Sequence, residues 1–176
     1  RLRNGGVIRY KPDTEEVDVV VSFPFANPWG HIIDQHGQSI ISDASNGYNY
    51  RLAHLMGPHT YPDDRKTDGI FRGVRSMTPG GRRPSAGGVM LRSRHFPEAV
   101  QDRFVTTQCI GFHGLRWYEL MPRGSGFETR SLSRELLQST DTSFRPIDVE
   151  IGPDGAMYVL DWANPIVGHM QFNIRD

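Results

Sequence analysis

Cysteine is almost missing from this sequence, and the single Cys109 permits neither an internal disulfide nor a cysteine-rich zinc pattern. An excess of charge of either sign is missing too. Lys plus Arg and Asp plus Glu stand at 20 each, for a formal net charge of +0. That balance lacks the basic excess that binding to a phosphate backbone requires, which argues against nucleic acid as a partner. No apolar run approaches the roughly 20 residues of a membrane span. His31, His95, His113 and His169 are widely separated, and no pair has the i, i+4 spacing of a helix-borne metal site. Ser45 and Ser85 lack a nucleophile-elbow context, and no segment resembles a phosphate loop.

Turn formers are plentiful, with 19 glycines and 12 prolines, and they favour short strands joined by tight turns. Two stretches share one plan. Residues 27–43 run Asn27-Pro28, strand, a turn ending in Gly37, strand, Asp43; residues 145–161 run Arg145-Pro146, strand, a turn ending in Gly155, strand, Asp161. Apolar residues alternate with others between the landmarks, as half-buried strands require. Each copy therefore reads as a hairpin, and the hairpin recurs.

Further pairs fill the chain. Gly6 to Tyr10, a Pro12-Asp13 turn, and Val17 to Phe23 give another hairpin, with Val17, Val19 and Val21 expected on one side. A related pair lies at 114–132, and Gly6 and Gly114 each open a strand with an aromatic four residues on. Phe96 to Gln108 fits a middle copy if Asp102 takes the place of the turn glycine and Gln108 that of the terminal Asp. The expected order is an outer hairpin (7–23), an inner hairpin (31–43), a long loop (44–87), blade strands (88–132) and an inner hairpin (147–161). Short helices are expected at 132–139 and 50–56. Four-stranded units repeating at about 40–60 residues indicate an all-β chain forming part of a β-propeller, two to three blades with a long loop insertion. The chain opens Arg1-Leu2-Arg3-Asn4-Gly5-Gly6 and then enters a strand, which reads as a piece of a longer protein or a processed product.

In such a unit the residue before the first strand and the loop after the second share one end. Asn27 should therefore meet the 43–50 segment, and Arg145 should meet Asp161 to Asn164. Loops gathered on a rigid scaffold are where binding residues concentrate. The ligand-binding candidates are Asn27, His31, Asp43, Asn46, Asn49, Arg145, Asp161 and Asn164, with Asp43 and Ser45 as metal candidates. A structural role competes at several of them: Asp after a strand caps a turn through its own backbone, and Asn-Pro initiates turns. His36 and Pro153-Asp154-Gly155 are expected in exposed hairpin turns, and Arg82-Arg83 and Asp63-Asp64 on solvated loop surface.

Segments 6–14 (GVIRYKPDT), 25–31 (FANPWGH), 93–98 (SRHFPE), 144–162 (FRPIDVEIGPDGAMYVLDW) and 164–171 (NPIVGHMQ) resemble the planctomycete-type membrane-bound dehydrogenase propeller. That group is similar to the glucose/sorbosone dehydrogenases, six-bladed quinoproteins. The resemblance implies pyrroloquinoline quinone and calcium as cofactors, a sugar or alcohol substrate, and a periplasmic or cell-envelope setting. In those enzymes an Arg-Asn-Pro precedes an inner strand and the Arg polarises the quinone carbonyl. Here Asn27-Pro28 match and Ala26 stands in the arginine's place. Their general-base histidine comes from an earlier blade, and their calcium from a loop corresponding to 44–47. Larger members carry a Cys-x-x-Cys-His haem module; this chain has no haem site.

Two functions are expected on these grounds: a segment of a quinone-dependent sugar or alcohol dehydrogenase, or a non-catalytic propeller that binds carbohydrate or a protein. Unpaired strand edges invite further partners, either remaining blades of the parent protein or other chains.

Overall fold

The computed structural model describes residues 5–23, 25–52, 76–79, 85–124 and 126–165. The described residues are all-β apart from one 3-10 turn at Glu98–Val100, and none of their segments is a helix long and apolar enough to cross a membrane. Four antiparallel sheets follow one another along the chain. The first is β1 (Gly6–Lys11) with β2 (Glu16–Ser22), and the second is β3 (Pro28–Ile33), β4 (Ser39–Asp43) and β5 (Tyr48–Arg51). The third holds β6 (Ser85–Leu91), β7 (Arg103–Gln108), β8 (Gly114–Arg123), β9 (Gly126–Ser131) and the short β10 (Leu137–Gln138). The fourth is β11 (Pro146–Ile151) with β12 (Met157–Asp161).

The sheets stack face to face, and three apolar layers lie between them. Val21, Phe23 and Phe25 pack on Ile41 and Tyr50, joining the first sheet to the second. Ile32 and Ile40, on the second sheet's other face, meet Phe104 and Tyr118 of the third. Val105, Leu91 and Leu115 alternate with those residues and so face the opposite way, onto Val149 and Val159 of the fourth. Period-2 alternation thus gives the middle sheet two buried faces. Phe104 and Val105 are both 0% exposed.

The expected repeat holds in atomic detail. Asp34 N donates to Gln38 O, and Gly152 N to Ala156 O, each at 2.9 Å. Gly37 and Gly155 close these turns at φ 74° and 84°, a backbone region that glycine enters without penalty. The register slips at the same landmark in both copies, between Pro28 and Gly30 and between Pro146 and Asp148. Asp102 stands at φ 61° in the middle turn, where it substitutes for the glycine as expected.

Three expectations are overturned. The 44–87 segment is not loop throughout: a tight turn at Gly47 (φ 65°) doubles the chain back on β4 to form β5, and β6 begins at Ser85. No helix occupies 132–139; Leu137 and Gln138 pair with Leu115 and Gly114 instead, because Gly114 lets the backbone come close. A Cβ on Gly114 would sit 2.1 Å from Leu137 O. Tyr50 and Arg51 likewise lie in β5 rather than in a helix, and 53–56 fall outside the described residues. Finally, Val17, Val19 and Val21 do not share a side. A bulge pairs Val7 with Val21 but Ile8 with Val19, so Val21 turns toward the second sheet with Val7. Val19 and Val17 stay opposite, with Ile8 and Tyr10. Arg82-Arg83, Asp63-Asp64, His54, His59 and His169 lie outside the described residues.

Candidate functional site

The first strands of the last three sheets approach one another backbone to backbone. A Cβ on Gly30 of β3 would lie 2.2 Å from Ala86 O of β6, and one on Gly87 of β6 would lie 2.6 Å from Asp148 Cα of β11. Only glycine permits such contacts. Around these strands opens a cleft of about 430 Å³, with Trp29 and His31 on the β3 side, Gly87 and Gly88 at its back, and Asp148, Glu150 and Leu160 on the far side.

The chemistry of the cleft comes from β3 and β11. Asp148 and Glu150 are two apart on β11 and so point to one face. Burial pushes the Glu150 carboxyl above its usual range, and the Asp148 charge adds to that. Burial of part of the ring pulls His31 down. The result is an imidazole biased toward its neutral form, two carboxyl groups side by side, and the half-exposed indole of Trp29. Such a set can accept hydrogen bonds from hydroxyl groups and stack a flat apolar face.

The Glu150 shift has a measurable consequence. The folded state holds that proton more tightly than the unfolded chain, so a stability penalty develops as pH rises through the ordinary carboxylate range near 4.3 toward the raised folded value. Glu150→Gln should therefore raise the melting temperature at pH 7. The gain should vanish below about pH 4, where both forms are neutral. Thermal unfolding followed by circular dichroism at several pH values checks this.

The other candidates group differently. Asp43, 1% exposed, accepts Ala26 N at 2.8 Å and Ser45 N at 3.1 Å, while Ala44 N donates to Asn27 O at 2.9 Å. Asp161 repeats the device: it accepts Arg145 N at 2.7 Å and Ala163 N at 2.9 Å, and Trp162 N donates to Arg145 O at 3.0 Å. Asn27 and Arg145 therefore do meet the loops expected to join them. Both aspartates clamp the strand entry to the strand exit, and Asn27 and Asn46 remain exposed at that end. Asn49 is 1% exposed and knits β4 to the 76–79 segment, accepting Ser42 Oγ at 2.6 Å and donating to Thr78 Oγ1 at 2.9 Å. Arg145, 7% exposed, donates to the carbonyls of Cys109, Asn164 and Pro165. The site residues that sequence reasoning passed over are Trp29, Asp148 and Glu150. Asp148 and Glu150 alternate with apolar residues along β11, a pattern shared by any half-exposed strand.

A larger hollow of about 930 Å³ lies at the hairpin-turn end, lined by Arg92, Ser93, His95 and the Gly152–Gly155 turn. One of its polar groups ties the third sheet to the fourth, Ser93 Oγ donating to Gly155 O at 2.5 Å. The others brace the turns themselves: Arg92 pairs with Asp102 across the β6–β7 connection, and Tyr158 donates to Asp154 at 2.8 Å within the β11–β12 hairpin. The hollow is a joint between sheets, and the functional reading attaches to the cleft.

These features define the class: an all-β chain of stacked antiparallel sheets whose leading strands converge on a polar cleft. Residues 2–175 match the model of a family described as a domain of unknown function (DUF7133), and the chain belongs to that family. No curated protein and no solved structure matches it.

Proposed function

We propose that this chain is a segment of a β-propeller that binds a carbohydrate or similar polyol where β3, β6 and β11 converge. The observation that carries the reading is the glycine-mediated contact of the three leading strands. Strands that converge at one side of a face-to-face stack are how propeller blades surround a central channel. The cleft has the composition of a polyol site: paired carboxylates, an imidazole and a tryptophan on a closely spaced backbone.

Titration with mono- and disaccharides, followed by amide and indole chemical shifts, tests it. Saturable shifts at Trp29 and at β11 are expected. Trp29→Ala should weaken the affinity by about tenfold, the equivalent of about 1.4 kcal/mol. Absence of any saturable shift at the cleft across neutral and acidic sugars would refute the reading.

A quinone-dependent sugar or alcohol dehydrogenase is the second reading, favoured by Asn27-Pro28 standing next to Trp29 at the cleft mouth. It takes the same substrate class to the same place, and the envelope setting belongs with it. The residues present fit its cofactors poorly. Ala26 offers no cation to a quinone oxygen, and the Asp43 carboxylate is turned to backbone N–H groups rather than to an open calcium position. Sugar-dependent dye reduction after addition of the quinone and calcium would establish this second reading, and its absence alongside sugar binding would leave the first.

A further inference from the structure

The three leading strands share one irregularity, and it falls at the cleft. Each carries an extra residue near its entry. Trp29 has no partner across β4, Ile147 has none across β12, and Ala86 with Gly87 face a single residue of β7. A bulge of this kind takes the extra residue out of the ladder and re-aims the side chains beside it, and bulges recur next to binding sites. All four residues line the cleft. The bulge in β6 is pinned from behind: Thr107 Oγ1 donates to Gly87 O at 3.2 Å, and Thr106 Oγ1 to the same oxygen at 3.4 Å. The bulge in β3 brings the Trp29 indole to one wall. After the bulge in β11, Asp148 and Glu150 stand on the other, with Leu160 opposite Asp148 in the ladder.

The charge on these walls is of one sign. Among the described residues no arginine or lysine lines the cleft, and no ion pair involves Asp148 or Glu150. Asp148 accepts only Val149 N, at 2.9 Å, and the charge that acts on Glu150 is the like charge of Asp148. His31, biased toward its neutral form, adds little positive charge to set against them. An ionised carboxylate only accepts hydrogen bonds, so a wall of two satisfies the donor half of a hydroxyl and leaves its acceptor half unused. An ammonium group has three donors and no acceptor, and an aromatic face attracts it as well.

From this match we propose that the cleft prefers a sugar bearing a primary ammonium group, an amino sugar, over a neutral or an acidic one. This rests on the carbohydrate reading of the same cleft and names the substrate class within it. The ammonium group lies against Asp148 and Glu150, and the C–H face of the ring lies on Trp29 and Leu160. The preference belongs to β3, β6 and β11 themselves.

The full chain is titrated at about pH 6.5, between the ordinary ranges of a carboxyl group and an amine. Glucosamine, N-acetylglucosamine, glucose and glucuronic acid are compared through the Trp29 indole and β11 amide shifts. Glucosamine should bind about five- to tenfold more tightly than glucose. N-acetylglucosamine, whose nitrogen carries no charge, should lose that gain, and glucuronic acid should bind most weakly. Bound glucosamine should also lower the pH at which Glu150 titrates, because a neighbouring cation favours the charged carboxylate. Glu150→Gln should cut the glucosamine-to-glucose ratio by about threefold or more, and Glu150→Asp should retain part of it. Circular dichroism checks that both variants keep their strands, and the sugar series on the unmodified chain stands independently of them. Equal affinity for glucosamine and glucose, or a ratio unmoved by Glu150→Gln, overturns the preference and leaves the cleft as a site for neutral sugars. No saturable shift with any of the four removes the carbohydrate reading and the preference with it.

Discussion

Replacing Gly87 with alanine should lower the melting temperature by about 6–12 °C, the counterpart of roughly 3 kcal/mol in a chain of this size. The added methyl would lie 1.9 Å from Asp148 Oδ1 and 2.6 Å from Asp148 Cα. The carboxylate can swing away, but the Cα belongs to β11 and moves only with its strand. That strand is held by Val149, 1% exposed, against Leu91 and Val105. The clash must therefore be relieved by separating β6 from β11, which also opens the back of the cleft. Gly30→Ala should act in the same way, since its methyl would meet the backbone oxygen of Ala86 at 2.2 Å. Gly37→Ala is the control. Nothing lies within 4 Å of its Cβ, so only the φ of 74° is penalised, about 1–2 kcal/mol. Denaturant titrations of the three variants should rank Gly87→Ala and Gly30→Ala above Gly37→Ala in damage. Sugar affinity should fall for the first two and stay unchanged for the third. Equal loss in all three would mean that the leading strands do not touch as described.

How far the sequence foretold this arrangement depended on whether one residue or several carry the information. The hairpins of 27–43 and 145–161 were legible because proline, glycine and aspartate each mark a backbone event at a fixed place, and Asp102 could be read as a turn residue on the same grounds. β5 was not legible: Tyr48-Asn49-Tyr50-Arg51 is four residues long and follows a run of turn formers, so its strand character comes from pairing with β4. The bulge opposite Val7 was invisible because Val17 to Val21 keeps its apolar pattern in either register. Helix at 132–139 looked reasonable by composition, yet Gly114 and the packing of Leu136 settle those residues along β8. The cleft acids were hidden for another reason. Asp148 and Glu150 become a pair with His31 and Trp29 only after three strands 118 residues apart at their extremes have been brought together.

Arg145→Ala should be as damaging as Gly87→Ala, by about 3 kcal/mol, but without narrowing the cleft. The guanidinium is buried and carries no carboxylate partner in these bonds: Nε donates to Asn164 O at 2.9 Å, Nη2 to Pro165 O at 3.1 Å, and Nη1 reaches Cys109 O and lies 3.1 Å from His113 Nδ1. One side chain thereby ties the exit of β7, the entry of β8 and the exit of β12 together. Its removal strands the Cys109 carbonyl, which belongs to a residue only 2% exposed, and an unsatisfied buried acceptor costs about 1–3 kcal/mol. The remaining loss comes from loosening 109–113 and 161–165, whose carbonyls are nearer to water. Lysine at this position cannot reach the three carbonyls with one ammonium, so Arg145→Lys should recover less than half of the loss. Native-state hydrogen exchange separates this from a core defect: protection should drop at 109–113 and 161–165 and persist at Phe104 and Val105. Uniform loss of protection would show that Arg145 supports the whole fold rather than one end of it.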